Sequence, residues 1–322
     1  MAAATESHPA GSEAARVSAA AAAAHAAADA GACLGRAGII ACAAGAAAGV
    51  AVTLSASALG QGVISGAASL FLAGSNFIPS ESDSSAVLAS GCSGVGFFLG
   101  WGASTAVKTL AERGVGDSSV WVSLPMPIFL ALVMLFHAAE FAFVVFHHPQ
   151  DVNFRALMLS PVPAGGYSIA MIAAIVEYWA EAGLVKALPA SLAALRHLVL
   201  VIGTLLGLAG WGLRTAALFT AQSNFTHLVA YRKQATHVLV TQGVYRLCRH
   251  PGYLGWFVWS VSTQLVLGNT FCLVAYTFVS WRFFAGRIPG EEDLLIDFFG
   301  EQYLSYARHV PCGIPCISQL TP

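Results

Sequence analysis

Apolar stretches as long as a bilayer is thick recur along this chain, and they constrain its fold more than any other feature. Residues 37–59, 87–107, 121–146 and 198–221 are almost free of charge. About 20 such residues are what a helix needs to cross membrane hydrocarbon. Lipid offers no water to an exposed peptide group, so a run of this kind closes its hydrogen bonds within itself, as a helix. Two further runs, 63–78 and 167–184, are shorter but of the same kind. Of 322 residues, 57% are hydrophobic and only 10% charged, against about 25% charged in a soluble domain. The fold class predicted is all-α, a polytopic transmembrane helical bundle.

The breaks between runs set the organisation. Pro79, Glu81 and Asp83 end the second run, and Lys108, Glu112, Arg113 and Asp117 make the next polar loop. Pro125 and Pro127 predict an irregular start to the fourth run, because proline removes a helical donor. Residues 147–166 read as a loop. Glu177 and Glu181 are four apart, on one face of the fifth helix. Acids inside a span default to a functional role, here a polar pathway, unless Glu181 is simply wet at the span's end. Residues 253–267 and 271–284 are short runs separated by Gly268-Asn269, a turn signal. They predict a tight helical hairpin that enters and leaves on one side. The flanking segments 222–252 and 286–322 then form one small polar cap. The first carries Arg232, Lys233, Arg246 and Arg249 and no acid, which makes that side cytosolic by the positive-inside rule. The count is about eight spans. Three regions follow: an Ala-rich low-complexity tail over 1–36, read as mobile more than as a targeting peptide; helices one to six over 37–221; and a core over 222–322, with the hairpin at 253–284 and an amphipathic C-terminal segment.

A net charge of −1 supplies no broad basic field for nucleic acid. The 7 cysteines are odd in number, and Cys42, Cys92 and Cys272 lie inside apolar runs. That is no disulfide framework, and no CxxC pair suggests zinc; Cys312 and Cys316 stand four apart without a second pair. The thiols are expected to be free and buried, and no metal is expected. Trp256, Trp259 and Trp281 read as interface or packing aromatics.

Polar chemistry concentrates in the cap. His227, His237 and His250 fall in one short segment, where histidines beside lipid headgroups are the plain alternative to a site. Pro251 suits the first turn of a helix, so Arg249 and His250 stand at a helix entrance whose free N–H groups favour an anion. Beyond the hairpin, Glu291, Glu292 and Asp293 follow Pro289, as in the acidic first turn of another helix. Leu294, Leu295, Phe298, Phe299 and Leu304 suit an amphipathic surface helix there.

The stretch THVLVTQGVYRLCRHPGYLGWFVWSVSTQ, continuing through WRFF, EE and FFGEQYLSYARHVPCGIP, resembles the isoprenylcysteine carboxyl methyltransferases from about residue 224 to 316. Phe136-His137 and Glu140-Phe141 form a fainter echo of that family's FHxSEF; residues 1–119 carry no resemblance. The likeness implies methylation of the α-carboxylate of a C-terminal prenylcysteine, with S-adenosylmethionine as donor. It implies an endoplasmic reticulum membrane enzyme acting on prenylated proteins of the Ras/Rho small-GTPase kind. Carried over, the donor site falls on His237, Val238, Leu239, Val240, Tyr245, His250, Pro251, Gly252, Tyr253 and Glu291. Arg287 faces the substrate, and Arg287 with Glu291 makes the implied catalytic pair. A guanidinium grips a carboxylate at two points and fixes its angle. Two positions depart from the family pattern. Ala230 stands where a polar donor contact is usual, with Gln234 as a nearby substitute, and Pro289-Gly290 interrupts an acidic run, which could shift Arg287 relative to Glu291. Methylation of a phospholipid amine, by a related enzyme with an RHPxY element, and a non-catalytic membrane protein are the other readings.

Overall fold

The computed structural model describes residues 10–55, 85–114, 119–159, 166–185, 190–227, 231–233 and 237–317. Among these the secondary structure is helical: α1 (Ala10–Ser55), α2 (Ser85–Arg113), α3 (Pro125–His147), α4 (Gly166–Val185), α5 (Ala190–Ala221), α6 (Pro251–Leu267), α7 (Phe271–Phe299) and α8 (Glu301–His309). Among the described residues, four helical stretches are long and apolar enough to cross a membrane: Ala20–Leu54, Ser85–Arg113, Pro125–His147 and Ala194–Asn224. The expected run at 63–78 lies outside the described residues, as do Ala230 and Gln234.

The first helix takes in residues 10–36 of the stretch expected to be a mobile tail. It runs unbroken from Ala10 to Ser55, because alanine is the best helix former and because glycine lets the helix dock. Gly31, Gly35, Gly38, Gly45 and Gly49 are buried at steps of three, four and seven residues, one face of the helix. A Cβ on Gly45 would stand 2.2 Å from the carbonyl oxygen of Ser93, and one on Gly96 only 1.8 Å from that of Cys42. Lipid tails give apolar side chains no reason to leave them, so close backbone approach through small residues is what joins helices in a bilayer. Contact pairs advance together (Cys42 with Gly96, Gly49 with Trp101), so α1 and α2 run parallel. Helix α3 packs antiparallel on α2, with Phe141 beside Cys92 and Gly38.

The segment after α3, expected to be a loop, is described to Leu159 and is partly buried. Single 3₁₀ turns at Pro149–Asp151 and Phe154–Leu157 tuck Phe154, Leu157 and Leu159 into the core. His137 ties this segment to α4: Nδ1 bonds Leu157 O at 2.9 Å and Nε2 bonds the Tyr167 hydroxyl at 2.8 Å. The irregular start expected at Pro125 and Pro127 is a separate turn, Val120–Ser123, ending at a bend on Leu124.

The hairpin α6–α7 turns at Gly268, whose φ of 74° is open to glycine. Its tip is clasped from outside. Both carboxylate oxygens of Glu177 accept from the first N–H groups of α7, those of Phe271 and Cys272, at 2.7 Å. Asn269 Nδ2 donates to Ala174 O at 2.9 Å, and Arg196 Nη2 to Leu267 O at 3.0 Å. Glu177 therefore caps a helix that belongs to another segment, which accounts for an acid in α4 without a pathway. Trp259 stacks on Phe136 at 4.0 Å and is buried.

Helix α7 differs from expectation in length. Pro289 does not begin a new surface helix; it lies inside α7, which continues to Phe299. An interior proline costs about 3 kcal/mol. Burial on both sides of it overrides that preference: Phe284 and Ile288 pack with Cys312, Ile314 and Ile317 of the C-terminal tail, and Glu292, one turn on, is 2% exposed within an ion cluster. The buried-thiol expectation holds for Cys92, Cys248, Cys272 and Cys312, while Cys33 and Cys316 are exposed.

Candidate active site

A cavity opens where the N-terminus of α6, the second half of α7 and the segment 237–240 meet. It is lined by His237, Val238, Leu239, Val240, Tyr245, His250, Pro251, Gly252, Tyr253, Arg287 and Glu291, with Leu294, Leu295 and Phe298 along α7. The residues of the implied donor site and Arg287 thus stand around one space. Segment 237–240 is pinned by Asn224, whose Oδ1 accepts from Val238 N at 2.8 Å. Tyr306 donates to Tyr245 O at 2.6 Å, and Lys233 donates to Phe298 O near the end of α7.

Arg287 and Glu291 lie one turn apart on α7 and converge on the hydroxyl of Tyr253. That hydroxyl donates to Glu291 Oε2 and accepts from Arg287 Nε at 2.9 Å. Arg287 Nη2 also donates to His227 O at 3.0 Å, and the guanidinium carbon lies 5.7 Å from the Tyr253 ring centre. Pro289-Gly290 does not separate the pair, since the helix passes through them intact.

His250 lines the cavity and is also braced from behind it. Its Nε2 is 3.0 Å from Glu292 Oε1, and its ring stacks on Tyr253 at 5.6 Å and 8°. The same Glu292 oxygen accepts from Arg249 Nε at 2.7 Å and from the Tyr303 hydroxyl at 3.2 Å. Arg249 Nη1 donates to Val310 O at 2.6 Å and Ala307 O at 3.2 Å. The backbone N–H groups of Arg249 and His250 meet Pro311 O and Cys312 O at 2.9 and 3.2 Å. The helix entrance is therefore stitched to the tail, and those two N–H groups are not open to an anion. Burial would raise the carboxyl of Glu292, but hydrogen bonds and charge from His250 and Arg249 outweigh it and hold the group below its ordinary value.

A second buried cluster backs the site. Glu140 of α3, 1% exposed, accepts from Arg214 Nε at 2.7 Å and bonds His227 Nε2 at 2.7 Å. Arg214 Nη1 reaches Gly252 O at 3.4 Å. Neither Glu292 nor Arg214 was read from the sequence as a site residue. Glu292 had a signal: Phe284, Ile288 and Glu292 repeat at four and mark the buried face of α7, while Arg287 and Glu291 mark the cavity face. Arg214 is an unmatched charge inside an apolar run, and such charges inside a membrane are paired.

A family model of the isoprenylcysteine carboxyl methyltransferases matches residues 201–297. A protein-S-isoprenylcysteine O-methyltransferase of Dictyostelium discoideum is 39% identical over 190 residues, 59% of this chain and 77% of that protein. Those of Tribolium castaneum and Homo sapiens are each 40% identical over 189 residues, 59% of this chain and 65% and 64% of theirs, a little under two thirds of those relatives. A solved structure of the eukaryotic intramembrane Ras methyltransferase ICMT matches 88% of this chain and 98% of its own, at TM-score 0.70 and 29% identity. A helical membrane scaffold with a cavity at one end of its hairpin, matched at this level, defines a membrane methyltransferase. The chain belongs to the isoprenylcysteine carboxyl methyltransferase family.

Proposed function

We propose that this chain esterifies the α-carboxylate of a C-terminal prenylcysteine, with S-adenosylmethionine as methyl donor. The observation that carries the reading is Arg287, fixed by two acceptors at the cavity wall. The cavity suits such a donor: Val238, Leu239, Val240 and Leu294 offer apolar surface, and Glu291 offers a negative edge to a cationic group. S-adenosylmethionine, when bound, supplies a methyl group on positively charged sulfur. The prenylcysteine α-carboxyl, with an ordinary pKa of about 3.5, is ionised without help. Catalysis then asks for alignment and exclusion of water more than for a base. Arg287 grips the carboxylate, and His237 to Val240, Tyr245, His250 to Tyr253 and Glu291 hold the donor. Glu292 braces His250, whose ring stacks on Tyr253.

We also propose about eight crossings, with 222–252 and 286–322 as a cytosolic cap in the endoplasmic reticulum membrane. The parallel course of α1 and α2 supports the count. Prenylated small GTPases of the Ras/Rho kind fit as substrates, with their lipid in the bilayer and their carboxylate at its edge. A phospholipid amine has no carboxylate nucleophile for Arg287 to align, and its phosphate is the one anion it would offer a guanidinium. The test uses radiolabelled S-adenosylmethionine and N-acetyl-S-farnesylcysteine with membranes holding this protein. Base-labile label on the free acid, and none on its amide, is the expected result. No label from protein that binds the donor would turn the reading toward a phospholipid substrate.

A further inference from the structure

Arg287 is held by two acceptors, and neither belongs to its own helix. One is the backbone carbonyl of His227, at 3.0 Å from Nη2; the other is the Tyr253 hydroxyl, at 2.9 Å from Nε. The pose of the guanidinium is thus set by how two other segments are anchored. Both anchors lead to one carboxylate. Glu140 Oε2 bonds His227 Nε2 at 2.7 Å, pinning the residue whose carbonyl is the first acceptor. Glu140 Oε1 accepts from Arg214 Nε at 2.7 Å, and Arg214 Nη1 reaches Gly252 O at 3.4 Å, one residue before Tyr253. Rings close the arrangement: His227 lies 5.5 Å from Phe225, and Arg214 stands 5.0 Å from the same ring. Glu140 and Arg214 are 1% and 7% exposed, so their bonds are shielded from water and strong.

We propose that Glu140 is a positioning residue for Arg287, acting through His227 and through Arg214 and Gly252 to hold both acceptors of its guanidinium. This rests on the reading of Arg287 as the grip on a substrate carboxylate. Glu140 sits in α3, 87 residues from His227 in sequence, and touches no reacting atom. A carboxylate that served folding alone would show itself in stability and donor binding. One that positions Arg287 shows itself in the use of the carboxylate substrate, because misplacement by about 1 Å can cost about 100-fold in rate.

The experiment uses the full chain in membranes and two substitutions at His227, which is 26% exposed and tolerates change better than Glu140. His227→Ala cuts the link to Glu140; His227→Gln is long enough to keep it. The expected result for His227→Ala is a fall of about 10- to 100-fold in kcat/KM for N-acetyl-S-farnesylcysteine, with the Kd for S-adenosylmethionine within about twofold. His227→Gln restores most of the loss. In an Arg287→Lys background the same His227→Ala change costs little more, since residues acting as a unit are not additive. Equal losses in both backgrounds, an unchanged kcat/KM, or a loss of donor binding that matches the loss of turnover would overturn the proposal. If wild-type protein transfers no methyl to the acid, the functional reading fails instead. The structure of His227→Ala then decides: Arg287 displaced from the Tyr253 hydroxyl upholds the positioning, and Arg287 unmoved overturns it.

Discussion

The α1–α2 pair and the hairpin with its cap solve one problem, holding helices together where water does not help, by opposite means. The first pair meets backbone to backbone through Gly45, Gly49, Gly96 and Gly100, and its polar contacts include the Thr53 and Ser104 hydroxyls at 2.8 Å and Lys108 Nζ on Thr53 O at 3.0 Å. The cap is held by two buried carboxylates, Glu140 and Glu292, each meeting an arginine and a histidine. Close packing of small residues makes a rigid strut and offers no chemistry. Buried ion clusters are a weaker source of stability than apolar packing, yet they fix donors and acceptors in place. The site lies in the second region, where side chains must be aimed.

The comparison can be broken at several points. The largest effect is expected at Glu292. Its replacement by Ala leaves Arg249 and His250 buried without a counter-charge, a change that costs about 3–5 kcal/mol. Thermal unfolding in detergent should fall steeply, and donor binding should fail with it. Gly96→Ala comes next. Its Cβ would stand 1.8 Å from Cys42 O, and forcing α1 and α2 apart should cost about 1–3 kcal/mol. Donor affinity measured well below the unfolding temperature should stay unchanged, because no cavity residue belongs to that seam. A shift in donor affinity with Gly96→Ala would erase the division between strut and site.

Acid tests the cap with a smaller effect. The folded Glu292 carboxyl titrates below its ordinary value of 4.5. Its contribution is complete above that value and is lost as pH falls through the lower, folded one. Stability of the wild type should therefore decline below about pH 4.5, and Glu292→Gln should flatten that part of the profile. The smallest effect is at the surface. Glu301 and Arg308 meet at 3.1 Å, but both are more than half exposed. Glu301→Ala should shift stability by no more than about 0.5 kcal/mol.

Much of this was legible in the chain itself. Apolar runs marked the helices, and Gly268-Asn269 marked the hairpin turn because a positive φ there needs glycine. The cavity residues were legible through the resemblance over 224–316. Three things were hidden, each for a physical reason. Pro289 announces a helix start locally, and only burial of Ile288 and Glu292 keeps α7 continuous. The Ala-rich N-terminal stretch looked featureless because its docking face is written in glycines, which have no hydropathy to read. Glu140, Arg214 and His227 come together across 74 to 87 residues, and no local pattern pairs charges at that distance. Between neighbouring Glu291 and Glu292, the helical phase decides which faces the cavity and which the core.

The central claim is that buried carboxylates build the site while Arg287 serves the substrate. Its most direct test is donor binding and methyl transfer measured side by side for Arg287→Ala. The account predicts that Kd for S-adenosylmethionine holds within about threefold while transfer to the prenylcysteine acid falls by about 100-fold or more, the scale of a lost charge-assisted contact in the transition state. Transfer that persists at near wild-type rate, or donor binding that disappears together with transfer, would contradict it.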